Sequence, residues 1–260
     1  MDKESFIELL RGEVQQYKDV ISCVDGSWAV KGFIDVYRRI YTISADTKVI
    51  SKIIELYIFP KLFEFAHKNN MEIILADEQN FYPDITFRDC EGHLYAVDLK
   101  SSYRKDENHI NGMTLGAFTG YFRDRDSTKN ITKPFTYGSY LAHVVLGVIY
   151  TPVKNVDECH SYDLEDLDKI CSVVKDFQFF VQEKWKLAID RPGSGNTKNI
   201  GSVSRIADLL NGNGVFADLG EEVFDDYWRH YLTNDMAKAA ELEKPYYTNL
   251  TEYKSFKHLA

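Results

Sequence analysis

The sequence predicts an α/β fold built as one compact unit with appended segments, and three observations lead there. Short runs rich in β-branched and aromatic residues, bounded by turn formers, recur at 71–75, 85–87, 94–100 and 144–150, as strands require. Ahead of them, Val49, Ile50, Ile53, Ile54 and Tyr57 repeat at the spacing of an amphipathic helix. The chain has 260 residues, 44% hydrophobic and 14% aromatic, which is enough for a substantial core and argues against disorder.

Taken in order, the pattern predicts a helix over 4–17 and a strand over 33–41. Asp46 is a natural N-cap for the helix that follows, and Pro60 should break or kink it. Strands are expected at 71–75, at 85–87 and at 94–100, the last two joined by a turn at Asp89-Cys90-Glu91-Gly92. The apolar runs at 140–150 and 177–188 fit either strand or helix. Within the first, Val144 to Tyr150 is β-branched enough for a buried strand. From 205 onward the pattern turns helical and polar, and the chain contains neither repeats nor low-complexity tracts.

Net charge is -9, which argues against a simple nucleic-acid binder, because counterion release needs clustered cations. A local basic cleft remains open, with Arg123, Arg125 and Lys129 in one segment and Arg191, Lys198 and Arg205 in another. No run of about twenty apolar residues offers a membrane span, and residues 1–5 lack a basic n-region, so a cytoplasmic location without membrane partners is expected. Cys23, Cys90, Cys159 and Cys171 are scattered without a Cys-x-x-Cys spacing and are expected to be reduced packing residues. Cys159-His160 and the sequons at Asn130 and Asn249 carry no assigned function.

The chemistry concentrates between Pro83 and Lys100: a Pro83-Asp84 pair, thirteen residues, then Asp98-Leu99-Lys100. Phosphodiester hydrolysis calls for a hard divalent cation, and Mg2+ accepts one or two protein carboxylates while keeping several waters. Asp84 and Asp98 can supply those oxygens if two adjoining strands bring them to one end of a sheet. An Asp-x-Lys triplet alone is a weak signal, since it can be a same-face ion pair. Its position strengthens it: on an alternating strand Asp98 and Lys100 share one face while Val97 and Leu99 fill the other. Nearby carboxylates and a phosphate favour the ammonium form of Lys100, so it reads as an electrostatic stabiliser that orients water rather than as a base. Glu55 lies inside the helical run. It is either a solvated glutamate beside an apolar stripe or a third carboxylate brought near Asp84.

Residues 191–201 are too rich in Gly and Asn for a strand or helix interior, so an exposed loop is expected. It is not a phosphate loop, because the Gly-Lys-Ser/Thr ending is missing. An ordinary surface connection is one reading. The other is base recognition, in which glycines admit close backbone approach, asparagines pair with adenine and a threonine methyl meets thymine. Gln79 and Asn80 could contact the other groove.

Several blocks now line up: Asp46-Thr47-Lys48-Val49, Asn80 to Asp84, Asp98-x-Lys100, Thr128-Lys129-Asn130-Ile131, Gly193 to Thr197, Asn199-Ile200-Gly201-Ser202, and Asp226-Tyr227-Trp228-Arg229. In this order the chain resembles the EcoRV-type family of type II restriction endonucleases, and its catalytic blocks resemble those of the wider PD-(D/E)xK nuclease superfamily. The resemblance implies a restriction-endonuclease-like core, a mixed sheet flanked by helices, in a single domain over 1–260. Within it, 1–45 would serve dimerisation, 46–152 catalysis, and 153–260 DNA recognition and the C-terminal helices. It further implies a homodimer on double-stranded DNA, each subunit cutting one strand of a palindrome. Mg2+ would be held by Asp84 and Asp98, with Lys100 assisting and Glu55 matching a helix-borne carboxylate.

Gly193, Ser194, Gly195, Asn196, Thr197, Lys198 and Asn199 correspond to the major-groove loop, Gln79 and Asn80 to the minor-groove loop. Thr47, Lys48, Ser101, Ser102 and Lys129 fall where the family meets the DNA backbone or stabilises the complex. A cognate methyltransferase would act on the same site without direct contact. The chain departs from the pattern at Lys198, which replaces an uncharged polar residue, in a longer and dissimilar region before Tyr41, and in the lack of a basic tail. The implied target is GATATC, cut to blunt ends, with its central pairs read through bending. Rival readings are a repair or junction-resolving nuclease of the same superfamily and a catalytically inactive DNA-binding module. A glycosidase is remote, because Lys100 stands beside Asp98 and no second strong acid pair is present.

Overall fold

The structure is a computed structural model, and it describes residues 1–259 except 79, 155, 157–159 and 194–197. Helix α1 (Lys3–Val14) begins where Asp2 accepts a hydrogen bond from the Ser5 N–H at 2.7 Å, and it buries Phe6, Ile7, Leu10 and Val14. Helix α2 (Tyr17–Ile21) follows. The single strand expected over 33–41 is instead a hairpin, β1 (Gly32–Ile34) and β2 (Arg39–Thr42), paired Phe33↔Tyr41. Asp35 divides the run: its Oδ1 accepts from the N–H groups of Tyr37 and Arg39 at 2.9 and 3.0 Å, and Arg38 adopts a φ of 68°. Asp-based turns of this kind override an apolar period.

Helix α3 (Thr47–Lys68) is capped as expected, with Asp46 Oδ1 accepting from Lys48 N and Val49 N at 2.9 and 3.0 Å. Pro60 does not end it. A proline inside a helix removes one hydrogen bond at a cost of about 3 kcal/mol. Here Ile50, Ile53, Ile54 and Ile58 before it, and Leu62, Phe65 and Ala66 after it, are all buried, so packing on both sides carries the helix through.

Next come β3 (Glu72–Leu75), β4 (Ile85–Arg88), β5 (Leu94–Tyr103) and β6 (Thr114–Ala117), then short 3-10 turns at 120–122 and 137–139. Strand β7 (Tyr140–Pro152) is buried over most of its length, as its β-branched run predicts. Strand β8 (Ser161–Asp163), a 3-10 turn at 164–169 and β9 (Val174–Glu183) follow. The ambiguous 177–188 stretch is therefore strand up to Glu183, then the single turn α4 (Lys184–Leu187) and β10 (Ala188–Pro192). Strand β11 (Asn199–Ser202) precedes α5 (Ile206–Asn211), α6 (Glu221–His230), α7 (Asn234–Ala239) and α8 (Leu250–Lys257). Among the described residues the strands form sheets ordered β1-β2-β8, β10-β11-β6 and β3-β4-β5-β7-β9.

The chain divides into two compact units, one of Met1–Ile73, Leu99–Asn111 and Leu146–Val181, the other of Ile74–Asp98, Gly112–Val145 and Gln182–Ala260. The first buries Phe6, Leu10, Tyr17, Trp28, Ile54 and Leu62, with Tyr17 edge-on to Phe179 at 5.8 Å. Its packing requires glycine at 147, where a Cβ would stand 2.0 Å from Phe180 Cζ. The second unit is organised by aromatics: Phe118 lies 5.1 Å from Trp228, and Tyr227 lies 5.0 Å from Tyr247. The C-terminal helices are thus helical as expected, yet α6 buries Phe224, Tyr227 and Trp228 rather than being polar throughout. Among the described residues no helix is long and apolar enough to cross a membrane. Cys23, Cys90 and Cys171 are free but exposed, which corrects the expectation that they pack; Cys159 lies outside the described residues.

Candidate active site

Strands β4 and β5 pair antiparallel in the register Ile85↔Val97, Thr86↔Ala96, Phe87↔Tyr95, Arg88↔Leu94. Continued one residue past Ile85↔Val97, that register sets Asp84 against Asp98. The turn at the other end fixes the register, with Asp89 Oδ1 accepting from Glu91 N and His93 N at 3.0 and 2.9 Å. Asp98 is buried and Asp84 half-buried. Tyr82 and Tyr121 stack beside them, ring centroids 5.2 Å apart and 16° from parallel. Burial pushes the Tyr121 hydroxyl up from its ordinary pKa, and the negative charges of Asp98 and Asp84 push it further. Both carboxylates therefore act on one phenol.

On β5, Lys100 follows Asp98 by two residues and so belongs to the same strand face. In its own unit Lys100 lines a cavity of about 170 Å³ with Ser51, Glu55, Leu99 and Ser101. Helix α3 supplies Glu55 one turn after Ser51, whose Oγ lies 2.6 Å from Ser101 Oγ. Glu55 accepts from Lys52 Nζ at 2.6 Å with its side chain 26% exposed, so it is neither a fully solvated glutamate nor a buried one. Register thus brings Asp84 and Asp98 together, and one cavity brings Glu55 and Lys100 together.

The residues expected to meet DNA are spread over several elements. Thr47 and Lys48 are exposed in the first turn of α3, and Asn80 and Lys129 are exposed on loops. Ser102 is buried and its hydroxyl donates to the Asn111 carbonyl. At the β10–β11 hairpin, Gly193 N–H donates to the Asn199 carbonyl at 2.9 Å, and the backbone carbonyl of the exposed Lys198 accepts from Phe118 N–H at 2.9 Å. Gln79, Ser194, Gly195, Asn196 and Thr197 lie outside the described residues.

Two of the arginines considered for a basic cleft are engaged inside the second unit. Arg123 donates to the carbonyls of Phe118 and Tyr231, while Arg125 pairs with Asp225 at 2.7 Å and lies over the Phe122 and Tyr137 rings. Sequence reasoning also missed an acidic group at the β4–β5 turn, where ligand atoms of Asp89, Glu91 and His93 stand within 4.8 Å of one another. Only the turn motif itself announced it. Nor did any local signal mark Lys184, which is 2% exposed.

Opposed carboxylates on a sheet suit a metal-dependent phosphodiesterase, and the comparison with known families gives the class as restriction endonuclease. The sequence profile of the family described as Restriction endonuclease EcoRV matches residues 24–258. The type II restriction enzyme EcoRV of Escherichia coli is 36% identical over 231 residues, which cover 87% of this chain and 90% of that protein. The chain belongs to the EcoRV family of restriction endonucleases and is a site-specific deoxyribonuclease with the restriction-endonuclease-like fold.

Proposed function

We propose that the protein is a type II enzyme that hydrolyses double-stranded DNA with Mg2+ as cofactor. It works as a homodimer, each subunit cutting one strand of GATATC to leave blunt ends. The opposition of Asp84 and Asp98 across the β4–β5 ladder carries this reading. Like charges directly opposite on a ladder repel, and an all-oxygen donor pair suits a hard dication that takes one or two carboxylates. The donor set therefore fits Mg2+: Asp84 and Asp98 hold it, with Glu55 as a third carboxylate. When bound, the ion supplies charge to the phosphate oxygens and lowers the pKa of water. Lys100, as an ammonium, stabilises the charge gathering on the phosphate and orients the attacking water.

Recognition is assigned to Gly193 through Asn199 in the major groove and to Gln79 and Asn80 in the minor groove. Thr47, Lys48, Ser101, Ser102 and Lys129 hold the backbone or support the residues that do, since phosphate contacts position and base contacts specify. Dimerisation falls to 1–45. The enzyme acts in the cytoplasm, where a methyltransferase modifies the same sequence.

Digestion of a plasmid of known sequence tests this. Mg2+ should give discrete blunt fragments ending at the centre of GATATC, and Ca2+, which is larger and more loosely coordinated, should support no cutting. Random nicking would point instead to a repair-type nuclease, cuts elsewhere would remove the target assignment, and no cutting would leave a DNA-binding module.

A further inference from the structure

Lys184 is a buried cation seated on the aromatic stack that adjoins the two aspartates. Its Nζ lies 5.0 Å from the Tyr82 ring centroid and 5.3 Å from those of Phe122 and Tyr137. It donates to Tyr137 Oη at 3.4 Å. Tyr82, Tyr121 and Tyr137 stack at 5.2–5.8 Å with their planes 16–25° apart. His143 closes the group, stacked on Tyr137 at 3.7 Å, with its Nδ1 2.8 Å from the Tyr82 hydroxyl. The stack leads to the chemistry from two sides. Tyr82 is joined through Pro83 to Asp84, and Tyr121 lies in the field of Asp98 and Asp84.

Burying an ammonium is costly, and a methionine would fill the same space without that cost. The aromatic faces return part of it, because a desolvated cation over an electron-rich ring is attracted more strongly than one in water. That attraction also works on the rings, holding them in one arrangement around the charge. A glycine of β6 lies beside both polar ends. Gly116 has a φ of +88°, and a Cβ there would stand 3.5 Å from Lys184 Nζ and 3.6 Å from Tyr121 Oη. The two polar ends thus converge on a bare stretch of β6, the strand that pairs Ala117 with Asn199 of β11.

We propose that Lys184 is a positioning residue for cleavage: its ammonium fixes the Tyr82–Tyr121–Tyr137 stack, and the stack sets where Asp84 and Asp98 present their carboxylates to the metal. This rests on the Mg2+ reading above. Residues that orient metal ligands change metal affinity by roughly 10–100-fold when removed.

The test compares wild type with Lys184→Met, Lys184→Arg and Tyr82→Phe, all as full chains bound to duplex DNA containing GATATC. Calorimetric titration with Ca2+ reads metal affinity without turnover, and the Mg2+ dependence of cleavage separates half-saturation from maximal rate. Lys184→Met should weaken Ca2+ binding and raise half-saturating Mg2+ by about tenfold or more. Lys184→Arg should recover part of the loss, and Tyr82→Phe, which keeps the ring but loses the His143 bond, should shift both readings the same way. A folded Lys184→Met with unchanged Ca2+ affinity and Mg2+ half-saturation overturns the proposal. If that variant does not fold, a folded Lys184→Gln, which removes the charge but keeps a polar end, overturns it when its Ca2+ affinity and Mg2+ half-saturation are unchanged. A wild type that binds Ca2+ but does not cut in Mg2+ sinks the functional reading instead, and the calorimetric comparison still decides the role of Lys184.

Discussion

The β4–β5 hairpin carries acidic side chains at both ends, and the two ends use them in opposite ways. At the turn, Asp89 accepts hydrogen bonds from Glu91 N–H, His93 N–H and the Tyr95 hydroxyl, and it pairs with the His93 ring at 3.0 Å. Burial pushes its carboxyl up, but the hydrogen bonds it accepts, those from His93 and Tyr95 among them, more than offset this and hold it well below the usual carboxylate range. That carboxylate builds the turn. At the far end the same register, carried one residue past Ile85↔Val97, sets Asp84 across the ladder from Asp98. Acidic content is equal at the two ends, so the distinction lies in placement: at the turn the carboxylate is tied into local hydrogen bonds, and at the far end two carboxylates are set across the ladder from each other.

The largest effect should come from breaking the second end. Asp84→Ala or Asp98→Ala should lower cleavage of duplex DNA in Mg2+ by about 10³-fold or more, the scale of several kcal/mol of lost charge stabilisation. Turnover near wild type in either variant would take that carboxylate out of the chemistry.

A smaller and opposite effect is expected at the turn. Asp89→Ala should cost on the order of 2 kcal/mol of stability near neutrality through lost charge-assisted hydrogen bonds, while leaving cleavage intact wherever the variant is folded. Because the folded-state pKa of Asp89 lies below its ordinary value of 3.8, its contribution is present above that value and fades as pH falls through the folded pKa. Denaturation curves should therefore converge in acid. Loss of cleavage in a folded Asp89→Ala would assign the turn to the chemistry after all. The smallest change is Glu91→Gln, whose side chain is 64% exposed. Its stability should stay within about 0.5 kcal/mol of wild type, with cleavage unaltered.

Much of this was legible in the sequence because the relevant physics is local. A cap at Asp46, a turn at Asp89 to Gly92 and the β-branched and aromatic runs on either side of that turn sufficed to set α3, β4 and β5, and with them the opposition of Asp84 and Asp98. Where distant packing decides, the sequence misled. Of the break or kink that Pro60 predicts, the break does not occur, since buried side chains on both sides carry the helix through, and Arg123 and Arg125, candidates for a basic cleft, are taken up by carbonyls, aromatic rings and Asp225. Lys184 drew no reading from the sequence at all, since a hydrogen-bond partner, Tyr137, lies 47 positions away. Glu55 is intermediate: its spacing gave the helix face, and the fold was needed to put it in one cavity with Lys100.

Gly147 and Phe180 occupy what amounts to a single volume, since the ring fills the place where even a methyl group would go. Neither position can drift alone: a larger residue at 147 is tolerated only once 180 has shrunk, and a shrunken 180 leaves a void until 147 has grown. Substitutions at the two sites should therefore travel as a pair through the lineage of this enzyme, with each lone intermediate selected against.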